Sequence, residues 1–256
     1  MNLTGVTWLH VAMSVVLVAI AVAVATYQRL GVSRDMLLAS VRAAVQLAAA
    51  GAVLLLLFHY AGLPGALGWV AVMILIAGQV AGRRGRAVPR APALATLAIT
   101  AGSLVALGSL LLVRILPTRP EVVIPIGGMI VSTAMQATGL TLLRLADDTR
   151  QARPAIEARL SLGMTVQDAF AQHRRSAART ALLPAIDSTK VVGLISLPGA
   201  MTGLILAGVD PLTAIRYQIV VMYMLLAAAT VAAAVASHLA QRALFDTSAH
   251  RLQQPR

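Results

Sequence analysis

Long runs of residues with almost no charge constrain this chain more than any other feature. Seven such runs are read, at roughly 7–27, 37–58, 66–82, 93–113, 122–143, 188–208 and 212–238. Each is near the ~20 residues that an α-helix needs to cross a bilayer core. The chain is 59% hydrophobic and 12% charged, against about 25% charged in soluble domains. Backbone polar groups inside lipid must be satisfied within the element, which leaves helices as the form these runs take. The expected fold is an all-α integral membrane protein of about seven transmembrane helices, forming a single polytopic domain over residues 1–256. The first run is long enough to span, and Tyr27-Gln-Arg-Leu30 after it is not a small-residue cleavage site, so no cleavable signal peptide is read. The chain has no cysteine, which excludes disulfides and thiolate metal centres built from its own side chains.

The net charge of +12 carries orientation rather than nucleic-acid binding, because the arginines are scattered between apolar runs. Arg29 and Arg34 follow the first run, and Arg83, Arg84, Arg86 and Arg90 follow the third. Arg144, Arg150, Arg153, Arg159, Arg174, Arg175 and Arg179 follow the fifth, and Arg242, Arg251 and Arg256 follow the seventh. The intervening connections carry only Arg114 and Arg119. The alternation puts the N-terminus outside and the C-terminus in the cytoplasm, in a multi-pass protein of the inner (plasma) membrane.

Along the first run, Trp8 and Tyr27 sit as interfacial anchors, and His10 reads as an interfacial residue. In the second, Arg42 and Gln46 share a helical face. Arg42 either snorkels to the cytoplasmic surface or faces a cavity, and Gln46 suits an interhelical hydrogen bond. The third run ends in Gly78-Gln-Val-Ala-Gly82, which permits close helix approach. The fourth holds Gly102, Ser103, Gly108 and Ser109, residues that suit packing. The fifth carries a polar and small-residue stripe: Gly128, Ser132 and Gln136 at four-residue spacing, with Met129, Thr133, Met135 and Thr138 beside them. Such a stripe either packs on neighbouring helices or lines a path. The thioethers are soft potential metal ligands, though methionine in an apolar helix is usually filler.

The polar interval from Arg144 to Asp187 is the one long segment suited to water, and it is read as a cytoplasmic loop (144–187). Pro154 starts a short helix that runs to about Leu162. Gly163 is a left-handed stop. Thr165 caps a second helix, with Asp168 as reciprocal partner, and Pro184 is expected to interrupt that helix after Leu182. In the sixth run, Asp187 and Lys190 are spaced to pair. Pro198-Gly199 is expected to break that span midway, and Gly199 and Gly203 form a small-residue pair. Asp210-Pro211 caps the alanine-rich seventh run, and residues 243–256 read as a flexible tail. No phosphate-binding loop, zinc-protease motif, serine elbow or buried carboxylate cluster occurs, so energy for transport has to enter from another chain.

From Pro125 to Leu239 the chain resembles the FetB/YbbM-type permeases, membrane subunits of ABC transporters. The strings that carry the resemblance are Pro125-Ile-Gly-Gly-Met129, Leu160-Ser-Leu-Gly163, Leu183-Pro-Ala-Ile-Asp187-Ser188, Lys190 through Ile205, Ala207-Gly-Val-Asp-Pro211 and Ile215-Arg-Tyr-Gln-Ile219. Ser132-Thr133-Ala134 stands where similar permeases carry Gly-Asn-Ala. The resemblance implies a permease without an ATP site of its own. Its partners would be a separate cytoplasmic ATPase, which holds ATP and Mg, and a second copy of the permease. It also implies metal export, with iron the cargo of bacterial members; plant relatives are linked to aluminium tolerance and nucleotide-sugar transport. Glu157, Ala158, Leu160, Gly163 and Asp168 are then the ATPase-coupling residues, with Leu183-Pro184 later than in the importer motif. Arg42, Gln46, Met129, Ser132, Thr133 and Gln136 become the translocation path. Pro184, Asp187, Lys190, Pro198, Gly199 and Gly203 become the gating helix. Met129, Met135 and Met201 are the candidate metal ligands. The rival readings are a permease for a nucleotide-sugar or other small solute, and a non-transporting membrane scaffold.

Overall fold

Prolines open the helices Ala91–Leu112, Pro120–Gln151, Arg153–Ser161 and Pro211–Leu244, and left-handed residues close the helices Trp8–Tyr27, Ala91–Leu112, Arg153–Ser161 and Gly199–Leu206. The computed structural model describes residues 7–60, 62–115, 117–246 and 251–252. It forms two compact units, residues 1–60 and 61–256.

The first unit pairs α1 (Trp8–Tyr27) with α2 (Ser33–Tyr60). The N–H of Thr7 donates to Nδ1 of His10 at 3.2 Å, so the histidine read as interfacial caps the start of α1. Arg29, at φ 51°, closes α1 in the left-handed region. Arg42 and Gln46 lie on α2, one turn apart and exposed.

The second unit contains α3 (Gly62–Arg84), α4 (Ala91–Leu112), α5 (Pro120–Gln151), α6 (Arg153–Ser161), α7 (Val166–Val191), α8 (Gly199–Leu206) and α9 (Pro211–Leu244). A two-residue antiparallel ladder joins Phe245–Asp246 (β1) to Arg251–Leu252 (β2). Helices α4 and α5 pack on each other and on both α3 and α9, and α7 packs on α5 and α9. Tight approach replaces large side chains here. A Cβ on Gly82 would collide with Pro92, and one on Gly102 would lie 2.6 Å from the Ala228 carbonyl oxygen. The alanines of the seventh run are the central wall: Ala228, Ala229, Ala232, Ala233, Ala236 and Ala240 are fully buried. Small residues suit membrane bundles because dispersion contacts between close backbones replace the missing hydrophobic drive. Among the described residues five helices are long and apolar enough to cross a membrane: 9–27, 62–84, 91–112, 120–151 and 211–244.

Helix α5 has 32 residues and α9 has 34. At ~1.5 Å per residue both exceed the roughly 30 Å hydrocarbon thickness. Their polar ends extend the bundle core, with Leu145, Ile156, Phe170, Phe245 and Leu252 buried in it. Phe170 and Phe245 meet edge-on at 5.1 Å between ring centroids. Two residues of the segment read as a tail, Phe245 and Leu252, thus belong to this core.

Three expectations are corrected. Residues 144–151 are not loop but the last two turns of α5. Pro184 does not interrupt the second loop helix: α7 runs unbroken from Val166 to Val191 with the proline inside it. A proline costs one i→i−4 hydrogen bond, and the packing of α7 on α5 and α9 outweighs that loss. The sixth run is not one span with a midpoint kink. It divides into the end of α7, a non-helical turn over 192–198 and the eight-residue α8, which Pro198 caps. Gly193 at φ 83° makes the turn, with its N–H donating to the Ser196 carbonyl at 2.9 Å.

Candidate functional site

Residues 133–140 of α5 and 181–188 of α7 present matching stripes. Thr133, Gln136, Ala137 and Leu140 follow the i, i+3, i+4, i+7 pattern of one helical face, and so do Ala181, Pro184, Ala185 and Ser188. The two faces enclose a cleft of about 210 Å³, closed at the back by Ala229 of α9. Alanine at four wall positions (Ala137, Ala181, Ala185 and Ala229) holds the backbones close, while Gln136 and the hydroxyls supply polarity. Thr133 Oγ1 donates to the Met129 carbonyl at 2.9 Å. Gln136 is exposed, and among the described residues its carboxamide has no hydrogen-bond partner. It is therefore free to engage a solute.

The wall formed by α7 is locally weakened. Pro184 offers no N–H to the Thr180 carbonyl. One turn on, Ser188 Oγ and Thr189 Oγ1 both donate to the Ala185 carbonyl, at 2.9 and 2.7 Å. Hydroxyl back-bonding of this kind loosens and bends helices. The cleft thus lies where α7 has one hydrogen bond missing and one carbonyl shared three ways.

The other end of α7 carries the residues assigned to coupling. Gly163 at φ 85° ends α6: its N–H donates to the Leu160 carbonyl at 3.0 Å, and the Met164 N–H to the Arg159 carbonyl at 3.2 Å. Thr165 Oγ1 accepts from the Asp168 N–H at 3.2 Å and donates to the Asp168 carboxylate at 2.6 Å. The cap forms as expected, although the carboxylate meets the threonine hydroxyl rather than its backbone N–H. Ile156 and Leu160 turn inward, while Glu157 and Ala158 stay exposed and Leu162 is 83% exposed. Glu157 pairs with Arg153 at 2.8 Å. The result is a short, rigid knob with an apolar tip and a charged flank.

The structure brings Thr133, Gln136 and Pro184 together. Ser132 is exposed outside the cleft. Met129 and Met135 pack against the core, and Met201 lies half-buried on α8. No group of three or more His, Cys, Asp or Glu that could hold a metal occurs among the described residues. Asp187 and Lys190 pair at 3.3 Å, as their spacing implied, an exposed contact of little energetic weight. Pro198, Gly199 and Gly203 belong to α8, where both glycines face open space. Arg42 and Gln46 belong to α2 of the first unit and do not line the cleft. Sequence reasoning missed Ala181, Ala185, Ser188 and Ala229 as cleft walls, although the spacing of the first three was visible. It also missed the contact of His173 with Asp148 at 3.7 Å, which ties α7 to α5.

Long apolar helices packed through glycine and alanine, around a small polar cleft, define a multi-pass α-helical membrane protein. The chain belongs to the family described as Uncharacterised protein family (UPF0014), which matches residues 8–245. It is 43% identical over 228 residues to the UPF0014 membrane protein STAR2 of Oryza sativa subsp. japonica, covering 89% of this chain and 80% of that one. It is 39% identical over 246 residues to Protein ALUMINUM SENSITIVE 3 of Arabidopsis thaliana, covering 94% and 88%. It is 36% identical over 252 residues to the Probable iron export permease protein FetB of Escherichia coli (strain K12), covering 98% and 97%. No solved structure matches this chain.

Proposed function

We propose that this chain is the membrane subunit of an ATP-driven transporter of the ABC class, working with a separate cytoplasmic ATPase and a second copy of itself. The observation that carries the reading is the continuity of α7. One 26-residue helix starts at the Gly163–Asp168 turn and forms a wall of the cleft at Pro184 and Ser188. Force applied to the knob of α6 travels along α7 as a rigid lever of about 39 Å at ~1.5 Å per residue. The lever yields where Pro184 removes a backbone hydrogen bond, and the α5–α7 cleft opens or closes.

In this mechanism the partner ATPase docks on Glu157, Ala158 and Leu162, burying the exposed leucine. ATP binding draws the two ATPases together and tilts α7. The cargo passes Gln136 and Thr133 as the cleft changes access, and the turn over 192–198 with α8 absorbs the displacement. The named activity of the Escherichia coli relative supports a metal cargo, iron, moved outward. A second reading is a small polar solute, which the hydroxyl and carboxamide lining favours. The proposed topology places α1–α5 and α9 across the membrane, with α7–α8 as a broken crossing and the N-terminus outside, following the arginine alternation.

The test is co-reconstitution of this chain with an ABC ATPase encoded beside it, followed by ATPase and uptake assays on inside-out vesicles. Iron is expected to stimulate ATP hydrolysis several-fold and to accumulate in the vesicles. Stimulation by a polar solute and not by metals would favour the second cargo. Failure to bind any ATPase would sink the transporter reading.

A further inference from the structure

A second opening lies between α7 and α9, away from the α5–α7 cleft. It is an open groove of about 530 Å³ lined by Arg174, Arg175 and Ala178 of α7 and by Ala234, Val235, His238 and Leu239 of α9. Its wall is hydrocarbon apart from one basic end. We propose that this groove binds an anionic phospholipid, with the phosphate on Arg174 and Arg175 and an acyl chain along Ala178, Ala234, Val235 and Leu239.

Three observations carry the assignment. The first is depth. Helix α9 is apolar from Ile219 through Ala236 except for Tyr223 and Thr230, and then turns polar at Ser237, His238, Gln241 and Arg242. The groove straddles that transition, which is where a phosphate headgroup meets an acyl chain. The second is charge. Among the described residues no carboxylate lies within salt-bridge distance of Arg174 or Arg175. Two arginines therefore line the groove without a carboxylate partner, beside an apolar wall. Such basic pockets between membrane helices take anionic headgroups, and the planar guanidinium fits phosphate oxygens in pairs. The third is orientation. Arg174 Nη1 donates to Gln241 Oε1 at 3.0 Å and to His238 Nδ1 at 3.3 Å, while Gln241 Nε2 donates to the Val166 carbonyl at 3.4 Å. A carboxamide and an imidazole, and no carboxylate, thus hold one guanidinium in place, while Arg175 remains exposed. The inference needs only that α9 crosses the membrane and does not depend on the transport reading. A bound lipid would clamp α7 to α9 near the coupling end of the lever.

The test is native mass spectrometry of the full chain in detergent, titrated separately with phosphatidylglycerol, phosphatidylcholine and inorganic phosphate. Phosphatidylglycerol is expected to bind at least tenfold tighter than phosphatidylcholine, at roughly fivefold per arginine. Replacing both arginines (Arg174→Gln, Arg175→Gln) is expected to abolish the preference. Arg175→Gln alone, at an exposed side chain without a partner, should weaken phosphatidylglycerol about fivefold and leave the melting temperature unchanged. Ala234→Trp, which fills the groove and keeps both charges, should also displace the lipid. Equal affinity for the two lipids, or unaltered phosphatidylglycerol binding in both single variants, overturns the proposal. Displacement of phosphatidylglycerol by inorganic phosphate at matched concentration also overturns it, by making the site one for a soluble anion.

Discussion

Glycines that look alike in the sequence do different work at the residue scale. Gly102 and Gly108 lie in the same helix, two turns apart. A Cβ on Gly102 would meet the Ala228 carbonyl oxygen, while one on Gly108 would meet nothing within 4 Å. Gly102→Ala is expected to lower stability by about 1–3 kcal/mol, because backbone has to move. Gly108→Ala should raise it by about 0.5–1 kcal/mol through helix propensity. Thermal unfolding in detergent separates the two, and equal shifts would contradict the packing of α4 on α9. Gly163 is a third case. It has open space around it but a φ of 85°, so the penalty for Gly163→Ala is conformational, about 1–2 kcal/mol, and confined to the turn. That variant should retain the fold and lose ATPase binding in a pull-down. Reversing the charge of Glu157 (Glu157→Lys) should weaken the same interaction.

The element that matters most is α7. A proline in a helix interior costs up to about 3 kcal/mol relative to alanine, and here it sits in the wall of the cleft. Pro184→Ala restores a donor to the Thr180 carbonyl. The protein is expected to melt at a higher temperature, to bind its ATPase as before and to transport at least tenfold more slowly. Transport at the original rate in a stiffened α7 would remove the hinge from the mechanism. The reason the helix survives its proline was not visible locally. Pro184 reads as a terminator by backbone chemistry alone, and only the contacts of α7 with α5 and α9 carry the helix through it. The turn over 192–198 is the reverse case. Leu194 and Ile195 are 88% and 83% exposed within an apolar stretch, where the sequence reads as helix up to a break at Pro198-Gly199. Gly193 in the left-handed region, with Pro198 behind it, ends the helix before the apolar run is finished.

For the whole molecule, the absence of cysteine offers a direct test of topology. Single cysteines at Gly65, Arg119 and Asp210 should react with an impermeant maleimide from outside intact cells. Cysteines at Arg34, Arg86, Glu157 and Arg242 should react only after permeabilisation. The reverse pattern would invert the orientation drawn from the arginine bias. The polar segment after the fifth run is folded onto the bundle: the last turns of α5, then α6 and α7, with the β1–β2 ladder, bury Phe170 and Phe245 in the common core. Helix–glycine–helix was legible there because caps and stops are local chemistry. The aromatic pair was not, since its members lie far apart in the chain and meet only when α7 and α9 do.

Hydrophobic runs, caps and prolines determined the class of protein, the approximate limits of most helices and the helix–glycine–helix shape of residues 153–191. These are properties of neighbouring residues and of the solvent each run demands. Tertiary structure alone decided that α7 is one continuous helix, that Gln136 and Thr133 face Pro184 and Ser188 across a cleft, and that α9 is the central wall. Those outcomes depend on which helices pack together. Alanine and glycine allow many close approaches, and only the assembled bundle selects among them.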